Sequence, residues 1–147
     1  MYRNDALASG YRLVEGPPPI DEYLGLRSRS GLSPRRRDQA EPALRGSWFS
    51  VHVASQDSGE AVGMGRLIGD GGWCFHVLDM AVLPEHQRKG LGDVILTTLL
   101  DRIRRLAPPG AFVNLLADPP GRSLYLRHGF VETAPIGESV GMAMYLD

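Results

Sequence analysis

The sequence predicts an α/β (α+β) fold: a mixed, mostly antiparallel central sheet of about six to seven strands flanked by about four helices. Three observations predict it. Short apolar or alternating segments, bounded by Gly, Pro and Asp, recur through the chain and have strand length. From Asp93 the residues Val94, Ile95, Leu99, Leu100, Ile103 and Leu106 recur at three- and four-residue spacings, one face of an amphipathic helix. No repeat, linker or low-complexity stretch interrupts this order, so one domain spanning residues 1–147 is expected.

Taken in order, the first ten residues read as a loose extension. Residues 11–15 alternate weakly as a first strand, ended by Gly16 and the run Pro17-Pro18-Pro19. A helix is predicted from Ile20, with Asp21 as its cap, Tyr23, Leu24 and Leu26 on one side and Gly31 as its stop. Ser33-Pro34 is the cap and first position expected of a second helix, which carries Arg35-Arg36-Arg37 and fades between Pro42 and Gly46. Residues 48–54 form an aromatic and β-branched strand, residues 56–59 a hairpin turn, and residues 61–68 the returning strand. Residues 69–72 turn into a central strand closed by Pro84. After the long helix, residues 107–110 break the chain and residues 111–116 read as a buried strand. Residues 118–121 enter a short helix over 122–128, which Gly129 closes. Phe130-Val131 opens a sixth strand, and residues 140–146, alternating apolar and small, make the last.

A chain of 147 residues, 43% hydrophobic and 22% charged, has the length and composition of an ordinary soluble domain with a real core. A net charge of −1 gives no electrostatic reason to expect nucleic acid or an anionic membrane as a partner. The three consecutive arginines read as a solvated helix face, with a role in holding an anionic ligand or partner as the alternative. One cysteine, Cys74, excludes an intrachain disulfide and fits a reducing compartment, and no segment reaches the length of a membrane span, so a cytoplasmic location is expected. No His, Cys, Asp or Glu set has metal-ligand spacing, so no metal is expected.

Between the central strand and the long helix lies Gln87-Arg88-Lys89-Gly90-Leu91-Gly92. A helix N-terminus presents unpaired N–H groups and the positive end of its dipole, and glycines allow close approach to the backbone. The same spacing also describes a tight turn before a helix. A P-loop is excluded because Gly-x-x-x-x-Gly-Lys-Ser/Thr is missing, and the Gly-x-Gly-x-x-Gly order of dinucleotide folds is missing too.

The whole combination is more specific. A hydrophobic strand ending Ala81-Val82-Leu83-Pro84, then Gln87-x-x-Gly90-x-Gly92 and a helix, then Leu124-Tyr125-x-x-x-Gly129-Phe130, resembles the GNAT family of acetyl-CoA-dependent N-acetyltransferases. The resemblance in motifs covers roughly residues 62–131. It implies acetyl transfer from acetyl-CoA to a primary amine by direct attack within a ternary complex. A small-molecule amine is the acceptor expected, with a protein lysine or N-terminus, or a non-catalytic acyl-CoA-binding domain, as alternatives. It also leaves room for a homodimer paired through the C-terminal strands.

By the same resemblance, Gln87, Arg88, Lys89, Gly90, Leu91, Gly92 and Asp93 hold the coenzyme A pyrophosphate. Met80, Ala81 and Val82 run along the pantetheine arm, and the Val82 N–H faces the thioester oxygen. Tyr125 is the expected general acid: a phenol with pKa of about 10 can protonate a thiolate of about 8.5 and stay protonated at neutral pH. Asp118 stands where many relatives have asparagine, and Gly121 where they have alanine; both are expected at the cofactor. His76, six residues before Val82, occupies the place of a glutamate or histidine general base in several relatives. Asp79 is its rival, or else it pairs with Arg66, because a carboxylate within an apolar strand needs a partner. Asp70, Glu132 and Glu138 are further candidates for an amine pocket, while His52 and His86 read as surface or structural.

Overall fold

The computed structural model describes residues 6–147, apart from the side chains of residues 135 and 136. The chain divides into two compact units, one running to Leu115 and the other from Leu116 to Asp147.

The first unit is built on one five-stranded sheet in the order β1-β2-β3-β4-β5: β1 Tyr11–Glu15, β2 Phe49–Ser55, β3 Ala61–Gly69, β4 Cys74–Val82 and β5 Phe112–Asn114. The first four pair antiparallel and β5 pairs parallel to β4. Each turn has a local cause. Gly59 takes φ +74° and donates to the Ser55 carbonyl at 2.8 Å, closing the β2–β3 hairpin where the sequence predicts it. Between β3 and β4, one Asp70 carboxylate oxygen accepts the N–H groups of Gly72, Trp73 and Cys74, at 2.7, 2.9 and 3.2 Å. These bonds hold the Asp70 carboxyl below the usual carboxylate range.

Helix α3, Leu91–Leu106, buries Ile95, Leu96 and Leu99 completely. It can lie close to the sheet because β3 carries glycines beneath it. A Cβ on Gly65 would come within 2.7 Å of both the Ile95 side chain and the Met80 sulfur. Helix α1, Ile20–Arg29, reaches Asp79 through Tyr23 and Arg27. Arg66 meets the same carboxylate, and its strand neighbour Gly65 faces α3. Successive strand residues point to opposite faces, so α1 and α3 cover opposite sides of the sheet.

Several sequence expectations need correction. Helix α2, Arg37–Arg45, begins at Arg37 with Arg36 as its cap rather than at Ser33-Pro34. The Ser33 carbonyl and hydroxyl instead accept from Arg27, at 2.9 and 3.1 Å. Asp21 does not cap α1; it lies in the first turn and pairs with Arg37. β5 is three residues rather than six, and Phe112 is half exposed rather than buried.

In the second unit, α4 spans Arg122–Arg127 and α5 spans Thr133–Ile136. The sixth and seventh strands expected at Phe130-Val131 and residues 140–146 do not form among the described residues, so the sheet has five strands, not six or seven. A strand needs a neighbouring strand to take up its backbone groups, and the Phe130 N–H instead donates to the Tyr125 carbonyl at 3.1 Å. Met142, Tyr145 and Leu146 are 92%, 88% and 87% exposed. Among the described residues, no helix is long and apolar enough to cross a membrane and no group of three or more His, Cys, Asp or Glu is placed to hold a metal.

Candidate active site

β4 carries the local irregularity from which the site is built. Its register with β3 is Arg66↔Leu78 on one side of a break and Met64↔Ala81 on the other, so β4 has one extra residue opposite Gly65. This is a β-bulge, and Asp79 within it takes φ +57°. Such a left-handed residue persists only where its surroundings hold it. Here the Asp79 carboxylate accepts from Arg27 Nη1, from Arg66 Nε at 2.5 Å and from the Tyr23 hydroxyl at 2.7 Å. All three charged side chains are buried, with 5% exposure for Asp79, 9% for Arg27 and 11% for Arg66. Burial, and then the Asp79 charge, push the Tyr23 phenol above its ordinary range. Of the two roles open to Asp79, the structure displays the ion pair: its oxygens are committed to holding the bulge.

Past the bulge the strand has an open side. β5 pairs with Cys74, Phe75 and His76, so among the described residues no strand of the sheet pairs with that side of β4 from Val77 to Val82. The Leu83 N–H donates to the Val62 carbonyl at 2.8 Å, which makes those two the hydrogen-bonded pair. Antiparallel pairs alternate, so Val82 turns its own N–H and C=O to the uncovered side. The side chain of Gln87 reaches there and donates to the Val82 carbonyl at 3.0 Å.

The connection to α3 is a 3-10 turn at Pro84–His86 followed by two left-handed residues, Arg88 at φ +61° and Gly90 at φ +78°. Gly90 is the N-cap of α3 and supplies no side-chain cap. The first bond of the helix runs from the Val94 N–H to the Gly90 carbonyl at 3.1 Å, so Leu91, Gly92 and Asp93 precede the helical ladder. A Cβ on Gly90 would meet nothing within 4 Å. Glycine is there for its backbone angle, and the space beside it is open. Helix N-terminal amides with alternating left-handed residues form a concavity suited to an anion.

The predicted loop residues therefore divide. Gly90, Leu91, Gly92 and Asp93 supply the helix entry, while Leu91 also anchors it as a buried side chain. Gln87 spends its N–H on the Pro84 carbonyl, at 3.3 Å, and its side chain on Val82. The Lys89 ammonium lies 3.2 Å from the Tyr11 hydroxyl, which contacts His86 Nδ1 at 2.7 Å; this ties the start of β1 to the loop. Met80 packs beside Gly65, and Ala81 is buried.

His76 stands at the last paired position of β4 and β5, with its Nδ1 at 2.5 Å from the Asn114 Oδ1. Asn114, Tyr23, Arg27 and Tyr11 are the residues that sequence reasoning missed. Asn114 had one signal, a lone amide within the apolar run Phe112-Val113-Asn114-Leu115-Leu116. The others act across long sequence distances and had none.

Within the second unit, the Tyr125 ring packs edge-on against Phe130, with centroids 5.9 Å apart. A Cβ on Gly121 would lie 3.0 Å from the Tyr125 ring, so glycine gives the ring its seat. Burial, and then the Asp118 charge, raise the Tyr125 pKa above the ordinary phenol value. Asp118 caps the turn Pro119–Gly121 by position, without a side-chain bond.

A family model for the acetyltransferase (GNAT) domain matches residues 47–132. Among solved structures, a Staphylococcus aureus protein described as a probable acetyltransferase is 34% identical, with 92% of this chain and 99% of that one covered and a TM-score of 0.85. A GNAT-family acetyltransferase of Streptococcus pneumoniae is 23% identical over 92% of this chain and 98% of its own, with a TM-score of 0.74. Glucosamine-6-phosphate N-acetyltransferase of Arabidopsis thaliana shares the fold at 16% identity, covering 93% and 99%, with a TM-score of 0.68. No curated protein matches the chain.

Proposed function

The chain belongs to the GNAT acetyltransferase family, and from that premise we propose that it moves an acetyl group from acetyl-CoA to a primary amine, acting as one catalytic domain. One observation carries the reading: the Val82 N–H is turned to an uncovered strand edge, beside a helix entry that has no side-chain cap. Acetyl-CoA supplies an activated thioester. The helix entry from Gly90 to Asp93 binds its diphosphate, with Arg88 adding charge. The pantetheine arm runs along Met80, Ala81 and Val82 as an added strand runs along a sheet edge, with the Val82 N–H turned to it. The Val82 N–H meets the charge that develops on the thioester oxygen.

His76 takes the amine proton at Nε2, directly or through one water, leaving a neutral nucleophile. Asp79 is not assigned this work, because its oxygens are occupied by two guanidinium groups and a hydroxyl. Tyr125 holds a proton at its hydroxyl for the departing sulfur. Its raised pKa supports the role, since the phenol stays protonated across the neutral range and past it. We take the acceptor to be a small-molecule amine, as in the glucosamine-6-phosphate enzyme of the same fold.

The test is thiol release from acetyl-CoA against a panel of amines. Tyr125→Phe is expected to lower kcat roughly 10²- to 10⁴-fold. The alkaline limb of the wild-type profile should lie above the ordinary phenol range, because a raised pKa preserves the acid to higher pH. A Phe variant as fast as wild type removes Tyr125 from the acid role. Acetyl-CoA binding without turnover for any amine replaces the enzyme with an acyl-CoA-binding domain.

A further inference from the structure

Where β5 leaves β4, a side-chain pair closes the fork. His76 and Asn114 are register partners at the last paired position, with Nδ1 and Oδ1 2.5 Å apart. The amide is oriented by its other end, since Asn114 Nδ2 donates to the Phe75 carbonyl at 3.1 Å and lies 3.9 Å from Cys74 Sγ. With the NH₂ group committed there, the atom facing the ring is the oxygen, which can only accept. The ring nitrogen it faces must carry the hydrogen. A neutral imidazole has one such hydrogen, so its remaining lone pair is at Nε2.

We propose that Asn114 is a positioning residue for acetyl transfer, holding His76 as the Nδ1–H tautomer so that Nε2 is the proton acceptor. This rests on the reading of His76 as the base. The proton balance is simple: an amine N–H bond breaks, its proton goes to Nε2, and the resulting imidazolium keeps its Nδ1–H on Asn114 until Nε2 releases the proton to water. The register partners of His76 are Ile68 on β3 and Asn114 on β5, neither of which titrates, and Cys74 lies two residues back on the same strand. A carboxylate in place of Asn114 would also fix the tautomer, but it would favour the charged ring. The amide fixes the tautomer without adding charge.

The experiment combines ¹⁵N NMR of histidine-labelled full-length protein, which distinguishes the tautomers, with pH profiles of kcat/KM. Wild type should show the Nδ1–H form. Asn114→Leu should let the Nε2–H form take over and lower kcat by up to roughly 10²-fold, the lower end of general-base effects, with KM for acetyl-CoA little changed. Asn114→Asp keeps an acceptor at the ring. It should retain the Nδ1–H form and move the acidic limb up by about one pH unit, because a neighbouring negative charge raises a histidine pKa. In a His76→Gln background, Asn114→Leu should cost nothing further, whereas a merely structural asparagine would cost the same in both backgrounds. An unchanged tautomer in Asn114→Leu, or an unmoved limb in Asn114→Asp, overturns the proposal. If His76→Gln turns over like wild type, the base reading fails and the catalytic half of the proposal with it; the NMR result tells that failure apart from a wrong tautomer.

Discussion

Asp79 and Gly90 both hold left-handed backbone, at φ +57° and φ +78°, yet their surroundings differ in kind. Around Asp79 the partners are crowded in: two buried guanidinium groups and a phenol converge on one carboxylate, and the glycine opposite the bulge has no room for a methyl group. Around Gly90 partners are withheld: no side chain caps the helix, and the volume a Cβ would take is open. The same backbone conformation thus stands once among crowded partners and once beside open space. On the proposed function the bulge belongs to the scaffold and the helix entry to the cofactor, a division that matches the number of protein partners around each.

The comparison breaks most easily at its saturated end. Asp79→Ala should destabilise the protein by about 3–5 kcal/mol, the cost of leaving buried charges without their counterion. A urea or thermal unfolding series measures it, and a loss below about 1 kcal/mol would mean that the hub is decorative. The next test makes one change on both sides. Gly65→Ala forces a methyl group within 2.7 Å of Ile95 and Met80. It should cost roughly 1–3 kcal/mol of stability by overpacking, with the affinity for coenzyme A unaltered in the fraction that remains folded. Gly90→Ala meets no atom and pays only for its left-handed angle, about 1 kcal/mol. Its effect should fall on the ligand, as a severalfold rise in the calorimetric Kd for coenzyme A. Equal Kd values for Gly90→Ala and wild type would erase the distinction between the two sites.

Much of this arrangement was legible in the sequence, for reasons that locate the failures. β2, β3, β4 and α3 stand close to where periodicity puts them, because their patterns are long and their turns carry Gly59, Asp70 and Gly90. The loop was legible because its chemistry is local, a few consecutive residues between a strand and a helix. The hub was not. Arg66 was a foreseeable partner for Asp79, since it lies on the adjoining strand, but Arg27 comes from 52 residues away and nothing in its neighbourhood marks it. Ser33-Pro34 failed as a helix start for the same reason: Arg27 takes both Ser33 oxygens, a tertiary demand that outweighs capping propensity. The C-terminal segment shows the limit of pattern, because residues 140–146 alternate as a strand should and form none.

The amide of Gln87 has a consequence at the far end of the β4 edge. By occupying the Val82 carbonyl at 3.0 Å, it fills the last acceptor on that margin with the protein's own donor, while the opposite limit is set at His76 by β5. The margin from Val77 to Val82, unpaired by any strand among the described residues, is about 17 Å long at ~3.3 Å per residue. A chain that paired with this edge would meet a stop at each end, and its register would be set by the distance between them.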